Sequence, residues 1–170
     1  MTTSVLTYSP SDVKLIISGY TLVGLTSISV KWNASPFTQR RGIRGVNTRT
    51  GSKDRSAVIT IDMLQTSPTN ELLFDILRQD LNTYGGRLNL AVVDHAGQTM
   101  VQTASAYLAE YPELVYGMDF NTRRWVFNLQ DVIGGVIAGS KDSADNLLDA
   151  LGMRVDGVLD DIRSGISSIF

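Results

Sequence analysis

The sequence predicts a mainly β chain with one flanking helix, an α+β arrangement followed by a C-terminal amphipathic helical segment. Three observations carry this expectation. Apolar and polar residues alternate at 27–33 and again at 57–64, a single stretch at 72–84 has helical spacing, and from residue 134 glycines lead into an Asp-rich amphipathic pattern. At 170 residues, with 43% hydrophobic and 19% charged content, the chain is long enough for one core and too apolar for disorder. The domain division read from composition is a β-domain over 1–133 and a helical extension over 134–170.

The first β-type run is Val13 to Ser18, punctuated by Gly19-Tyr20 and followed by a second run, Thr21 to Gly24. In the next strand Ile28, Val30 and Trp32 point one way, and Ser27, Ser29, Lys31 and Asn33 the other. After a long gap, Ala57, Ile59, Ile61 and Met63 oppose Val58, Thr60, Asp62 and Leu64, so the two strands are expected to pair as a hairpin, with Lys31 placed either at an edge or against Asp62. Ser67-Pro68 starts a helix, with Ser at the N-cap, Pro at the first position and Glu71 in the first turn. Its stripe is Leu72, Leu73, Ile76, Leu77, Leu81 and Tyr84, stopped by Gly85-Gly86. Leu88 to Val93 and Thr99 to Leu108 read as a hairpin around Asp94-His95-Ala96-Gly97, and Leu114 to Phe120 and Arg124 to Leu129 as further strands. The tail places Asp142, Asp145 and Asp149 beside Leu147, Leu148, Leu151 and later apolar residues, interrupted by Gly152, Gly157 and Gly165.

Several function classes are disfavoured at once. No Cys removes disulfides, thiolate metal sites and cysteine nucleophiles, and a single His, His95, leaves few general bases. No phosphate-cradling Gly loop, dinucleotide fingerprint, nucleophile elbow or paired His is present, so no enzyme activity, cofactor or metal is expected. Asp142, Asp145 and Asp149 read as a solvated acidic face in preference to a cation site, and Asp94-His95 as turn residues in preference to an acid-base pair. No apolar run approaches about 18 residues and no basic, apolar, small-residue leader opens the sequence, so no membrane partner is expected.

Charge is unevenly placed. Between Lys31 and Arg55 lie seven of the fifteen basic residues against Asp54 alone, in a chain of net charge −2. Residues 34–56 carry Arg40, Arg41, Arg44, Arg49, Lys53 and Arg55 with Gly42, Gly45 and Gly51 and no apolar period, and they read as a long loop. Such a loop meets nucleic-acid phosphates or an acidic protein surface equally well, or is solvated with no partner. Only Phe37 accompanies the charges, which disfavours a single-strand stacking platform. The acidic remainder of the chain favours a protein partner, including a second copy joined head to tail.

The run Leu64-Gln65-Thr66-Ser67-Pro68-Thr69-Asn70-Glu71-Leu72-Leu73, with Thr21-Leu22-Val23-Gly24-Leu25 and Ser52 to Ile61 before it, resembles the tail tube proteins of contractile-tailed bacteriophages. The likeness covers about residues 10 to 130, and the type VI secretion tube shares the architecture. The resemblance implies a β-sandwich or rolled sheet flanked by one helix, the tail-tube fold, in a structural virion protein of the tail that is assembled in the host bacterial cytoplasm. In such tubes six copies form a ring, inner strands join into one barrel, and stacked rings conduct double-stranded DNA without reading its sequence. It further implies contacts with tail sheath, baseplate and terminator proteins. Residues 34–56 fall where the family's ring-stacking loop lies. Ser27, Ser29, Thr60 and Asp62 become lumen-facing candidates, because a conduit for DNA has no use for cationic walls. The alternatives are a tube initiator or terminator of the same tail, or a nucleic-acid-binding β-domain using the basic loop.

Overall fold

A computed structural model describes residues 9–95 and 99–136. A short 3-10 turn, Pro10–Asp12, leads into β1 (Val13–Ile17), β2 (Tyr20–Thr21) and β3 (Leu25–Trp32). Then come β4 (Phe37–Arg41), β5 (Asn47–Gly51) and β6 (Ala57–Leu64), the helix α1 (Thr69–Thr83), β7 (Leu88–Asp94), β8 (Met100–Leu108), β9 (Thr122–Leu129) and β10 (Ile133–Val136). The described chain is therefore mainly β with one helix, as the alternation predicts. One antiparallel sheet runs β2-β1-β7-β8-β9-β6-β3, and β10 pairs with β8 alongside the end of β9.

The sheet rolls around a single apolar cluster. The inward set on β6 is Ala57, Ile59, Ile61 and Met63, all fully buried, and β9 opposes it with Trp125, Phe127 and Leu129. Leu15 and Ile17 on β1, Leu90 and Val92 on β7, and Leu73 and Leu77 on α1 close the same cluster. Each of these large side chains contributes about 1.5–3 kcal/mol on burial. β3 does pair with β6 in the expected hairpin sense, Ile28 opposite Ile61 and Val30 opposite Ile59, with a bulge between Leu25 and Ser27.

α1 is joined to the sheet through polar groups that are themselves buried. Pro68 already has helical dihedrals, and the Thr69 N–H donates to Ser67 Oγ at 3.2 Å, the capping bond the sequence calls for. Ser67 Oγ donates to the Val23 carbonyl, and Thr69 Oγ1 accepts from the Val23 N–H at 3.2 Å. The Asn70 amide donates to the Leu64 carbonyl at 2.9 Å and accepts from Trp125 Nε1 at 3.0 Å. Gly24 is needed beside this joint: its φ is +82°, and a Cβ there would stand 2.8 Å from Ser67 Cβ.

Four expectations are corrected. Residues 34–56 are not a structureless loop: β4 and β5 pair as a hairpin from Phe37 opposite Gly51 to Arg41 opposite Asn47. Both of its faces are exposed, so the alternation that betrays a half-buried strand is missing from the sequence. Leu114 to Phe120 forms no strand: β9 takes β6 along its whole length and β8 only over Phe127 to Leu129, and 114–120 stays irregular. Of the predicted apolar stripe on α1 only Leu73 and Leu77 are buried and Ile76 partly so, whereas Leu72, Leu81 and Tyr84 are exposed. The left-handed residue ending α1 is Tyr84, φ 52°, its N–H donating to the Asp80 carbonyl, while Gly86 lies against the Asp80 side chain, where a Cβ would fall 2.5 Å from Cγ. The tail from residue 137 onward, including Asp142, Asp145 and Asp149, lies outside the described residues.

Replacing Asn70 by Ala strands the buried Trp125 N–H, whereas the Leu64 carbonyl keeps the Ser67 N–H at 3.0 Å, and the change is expected to cost about 1–3 kcal/mol. Urea unfolding followed by tryptophan fluorescence measures this. A loss below about 0.5 kcal/mol is incompatible with a joint built on that amide.

Candidate assembly surfaces

The β4–β5 hairpin is an arm. It leaves the sheet where β3 ends at Trp32 and returns where β6 begins at Ala57. Its root is tied by Asn33, whose N–H donates to the Ser56 carbonyl at 3.1 Å and whose side chain donates to Ser56 Oγ at 2.9 Å. The Asp54 carboxylate accepts the Ser56 N–H at 2.9 Å, and that bond, with one from the Ser56 hydroxyl, holds its pKa below the ordinary carboxylate value. At the tip, Gly42 N–H donates to the Val46 carbonyl at 2.8 Å and Gly45 takes φ +83°.

Register divides the arm's charges. Arg41 and Arg49 share a face with Phe37, whose ring lies 4.2 Å below the Arg49 guanidinium, and Arg40 lies on the other face. Arg44 sits in the tip, and Lys53 and Arg55 on the return to β6. All six predicted basic residues are exposed, and among the described residues none pairs with an acid. The tip also carries two apolar side chains that sequence reasoning passed over, Ile43, fully exposed, and Val46 at 69%. The signal was present: isoleucine and valine occupy a glycine-rich turn where polar residues are the norm.

The outward face of the sheet stacks side chains in rungs. Ser27, Asp62 and Arg124 form one: Ser27 Oγ donates to Asp62 Oδ2 at 2.8 Å, and Arg124 donates through Nε to Oδ1 at 2.9 Å and through Nη2 to Oδ2 at 3.4 Å. The Arg124 bonds, then the Ser27 bond, hold the Asp62 carboxyl below its usual value, against a desolvation that works the other way. Ser29, Thr60 and Val126 form the next rung, and Lys31, Val58 and Asn128 another, where Asn128 Nδ2 donates to Tyr107 OH at 3.3 Å. The four lumen candidates thus occupy two adjacent rungs. Lys31 does not meet Asp62, because register sets it four residues along β3, about 13 Å away, and Arg124 takes its place. Alternation in β9 shows that Arg124 and Asn128 face away from Trp125 and Phe127; only the register reveals their partners.

A groove of about 670 Å³ opens between the start of α1 and the irregular segment 109–121. Phe74, Tyr111, Leu114 and Trp125 supply its apolar walls, and Glu71 and Arg123 its charges. Arg123 Nη2 donates to Tyr116 OH at 3.3 Å, and Asn121 Nδ2 to the Val115 carbonyl at 3.3 Å, which shapes the segment without covering it. Val115, Tyr116, Met118 and Phe120 remain exposed around it. The Asp94-His95 pair lies at the β7–β8 turn with His95 exposed, and among the described residues no group of three His, Cys, Asp or Glu is placed to hold a metal ion. β3 is a terminal strand of the sheet, paired on one side over eight residues.

No family model matches the chain. It is similar to Structural protein ORF10 of Pseudomonas phage KPP10, 27% identical over 164 residues, which span 88% of this chain and 94% of that protein. Among solved structures it matches a chain in the virion of a native gene transfer agent particle with a TM-score of 0.56 at 14% identity, over 77% of this chain and all of that one. At that identity the likeness concerns the fold.

Asp62 generates a pH prediction. A carboxyl depressed in the folded state stabilises above its unfolded pKa and loses that contribution as pH falls through the folded value. Asp62→Asn is therefore expected to lower stability at pH 7 by about 0.5 kcal/mol, a small effect because Arg124 is largely exposed and screened. In urea titrations at stepped pH the gap from the parent closes below the ordinary carboxylate range; a gap that persists there contradicts the assignment.

Proposed function

We propose that this chain is a structural protein of a phage virion, and specifically the subunit of a tail tube whose six-membered rings stack and conduct double-stranded DNA. The observation that carries the reading is near full-length similarity to a phage structural protein. The edge of β3, unpaired among the described residues, and the arm beyond it support self-assembly, since an edge strand invites a neighbour's strand and a protruding arm invites a neighbour's surface.

The dimensions suit this role. β3, β6, β9 and β8 present the runged face, and four such strands from each of six copies, about 4.8 Å apart and tilted as in barrels, give a wall about 150 Å around and about 50 Å across. A duplex passes once side chains are subtracted. Ser27, Ser29 and Thr60 offer small neutral groups, and Asp62 ties up the Arg124 fork that would otherwise hold phosphates. In this reading the chain carries no enzyme activity, and sheath, baseplate and terminator proteins are its other partners in the tail.

Electron microscopy of the purified full chain tests the assignment. Long tubes are expected. Single rings point to a tube initiator or terminator, and monomers whose DNA affinity falls steeply with salt point to a nucleic-acid binder using Arg40, Arg41 and Arg44.

A lumen variant tests the wall. Changing Ser27, Ser29 and Thr60 to Lys adds about eighteen charges per six-membered ring, enough to grip phosphates over successive rings. Particles are expected to assemble in normal number and to eject DNA poorly. Normal ejection from intact particles removes these residues from the lumen.

A further inference from the structure

From the placement of the arm and the groove we infer that the tip of the arm, Ile43 with Val46, seats in the groove between α1 and segment 109–121 of the next copy of this chain. The inference rests on the self-assembly reading above and names the surface that receives the arm.

The first support is position. The arm leaves β6 at its first residue, Ala57, and the groove lies beyond its last, Leu64, beside Gln65 and the start of β9. Eight residues of strand hold the two about 26 Å apart at opposite ends of the same rigid sheet. β4 and β5 pair with each other and every residue in them is exposed, so among the described residues the arm does not fold back onto its own copy. A tip at one end and a groove at the other meet between copies repeated in the same sense. Such a contact is heterologous and extends without limit along its axis.

The second support is chemistry. Ile43 is fully exposed and Val46 mostly so, at the end of a hairpin that holds them out in water. The groove offers Phe74, Tyr111, Leu114 and Trp125 as apolar walls, with room for both side chains. Charge agrees: the tip brings Arg40, Arg41 and Arg44, and the groove has Glu71 on its wall, Glu110 beside Tyr111 and Glu113 beside Leu114. Arg123 is the opposing charge on the groove, and it is hydrogen-bonded to Tyr116. The apolar pair selects the pocket, and the arginine forks set the orientation.

The absence of Cys from the chain makes the test clean. Ile43 and Leu114 are both exposed, so Ile43→Cys and Leu114→Cys leave the core untouched. The double variant, assembled and then oxidised or treated with a short bismaleimide, is expected to give a ladder of covalent multimers on a non-reducing gel, with neither single variant doing so. Tubes that form normally without a ladder overturn the groove as receiver while leaving the tube reading intact. Multimers from the Ile43→Cys variant alone mean that tips meet tips, and a cross-link confined within one chain means that the arm folds back; either result overturns the inference. Failure of the unmodified chain to polymerise overturns both readings. As a second measurement, Ile43→Asp with Val46→Asp is expected to keep the circular dichroism of the parent and to raise the concentration needed for assembly at least tenfold. Unchanged assembly by that variant contradicts an apolar seat.

Discussion

The amide of Asn70 is the point on which the helix and the sheet agree. It accepts the indole N–H of Trp125 from β9 and donates to the carbonyl of Leu64 at the end of β6, while Ser67 and Thr69 on either side of Pro68 bind the backbone of Val23. The Trp125–Asn70 bond lies inside and the others are partly buried, and an unmatched donor or acceptor there is more costly than in water. The joint therefore permits one seating of α1 on the rolled sheet. That seating buries Leu73 and Leu77 and leaves Phe74 and Leu72 outside. The most distinctive run of the sequence, from Leu64 to Leu73, is accordingly a set of fasteners and not a chemical site.

From that seating follows the division of the sheet into two faces. The inner face is closed by α1 and filled by Ile59, Ile61, Trp125 and Phe127. Among the described residues nothing covers the outer face, and its rungs combine serine and threonine, the Asp62–Arg124 pair and an asparagine bonded to a tyrosine with Val58, Val126 and Lys31. On that face Asp62 withholds the Arg124 guanidinium from phosphate, while Lys31 stays an exposed cation.

The ends of the strands are built in the opposite spirit. One end carries an unsupported hairpin with arginines and two bare aliphatic side chains, and the other an apolar groove with exposed aromatic and aliphatic residues around it. A two-stranded hairpin is marginally stable alone, and apolar groups held in water gain free energy when covered. In the proposed assembly the arm and the groove are complementary ends, and a directional subunit with complementary ends forms a linear array.

The sequence by itself determined the fold class, the strands with one buried face, the position and cap of α1, and the concentration of positive charge at 34–56. These are local properties: period, capping chemistry and composition are written in neighbouring residues. Only the tertiary structure decided that 34–56 is a paired arm, because a strand wet on both faces has no period to read, and that 114–120 is irregular, because apolar content does not by itself supply a strand partner. It likewise decided that Asp62 belongs to Arg124 and not to Lys31, since a register shift of a few residues leaves alternation unchanged while changing every partner. The groove was invisible for the same reason: Phe74, Leu114 and Trp125 lie far apart along the chain, and only closure of the helix against the sheet brings them to one wall.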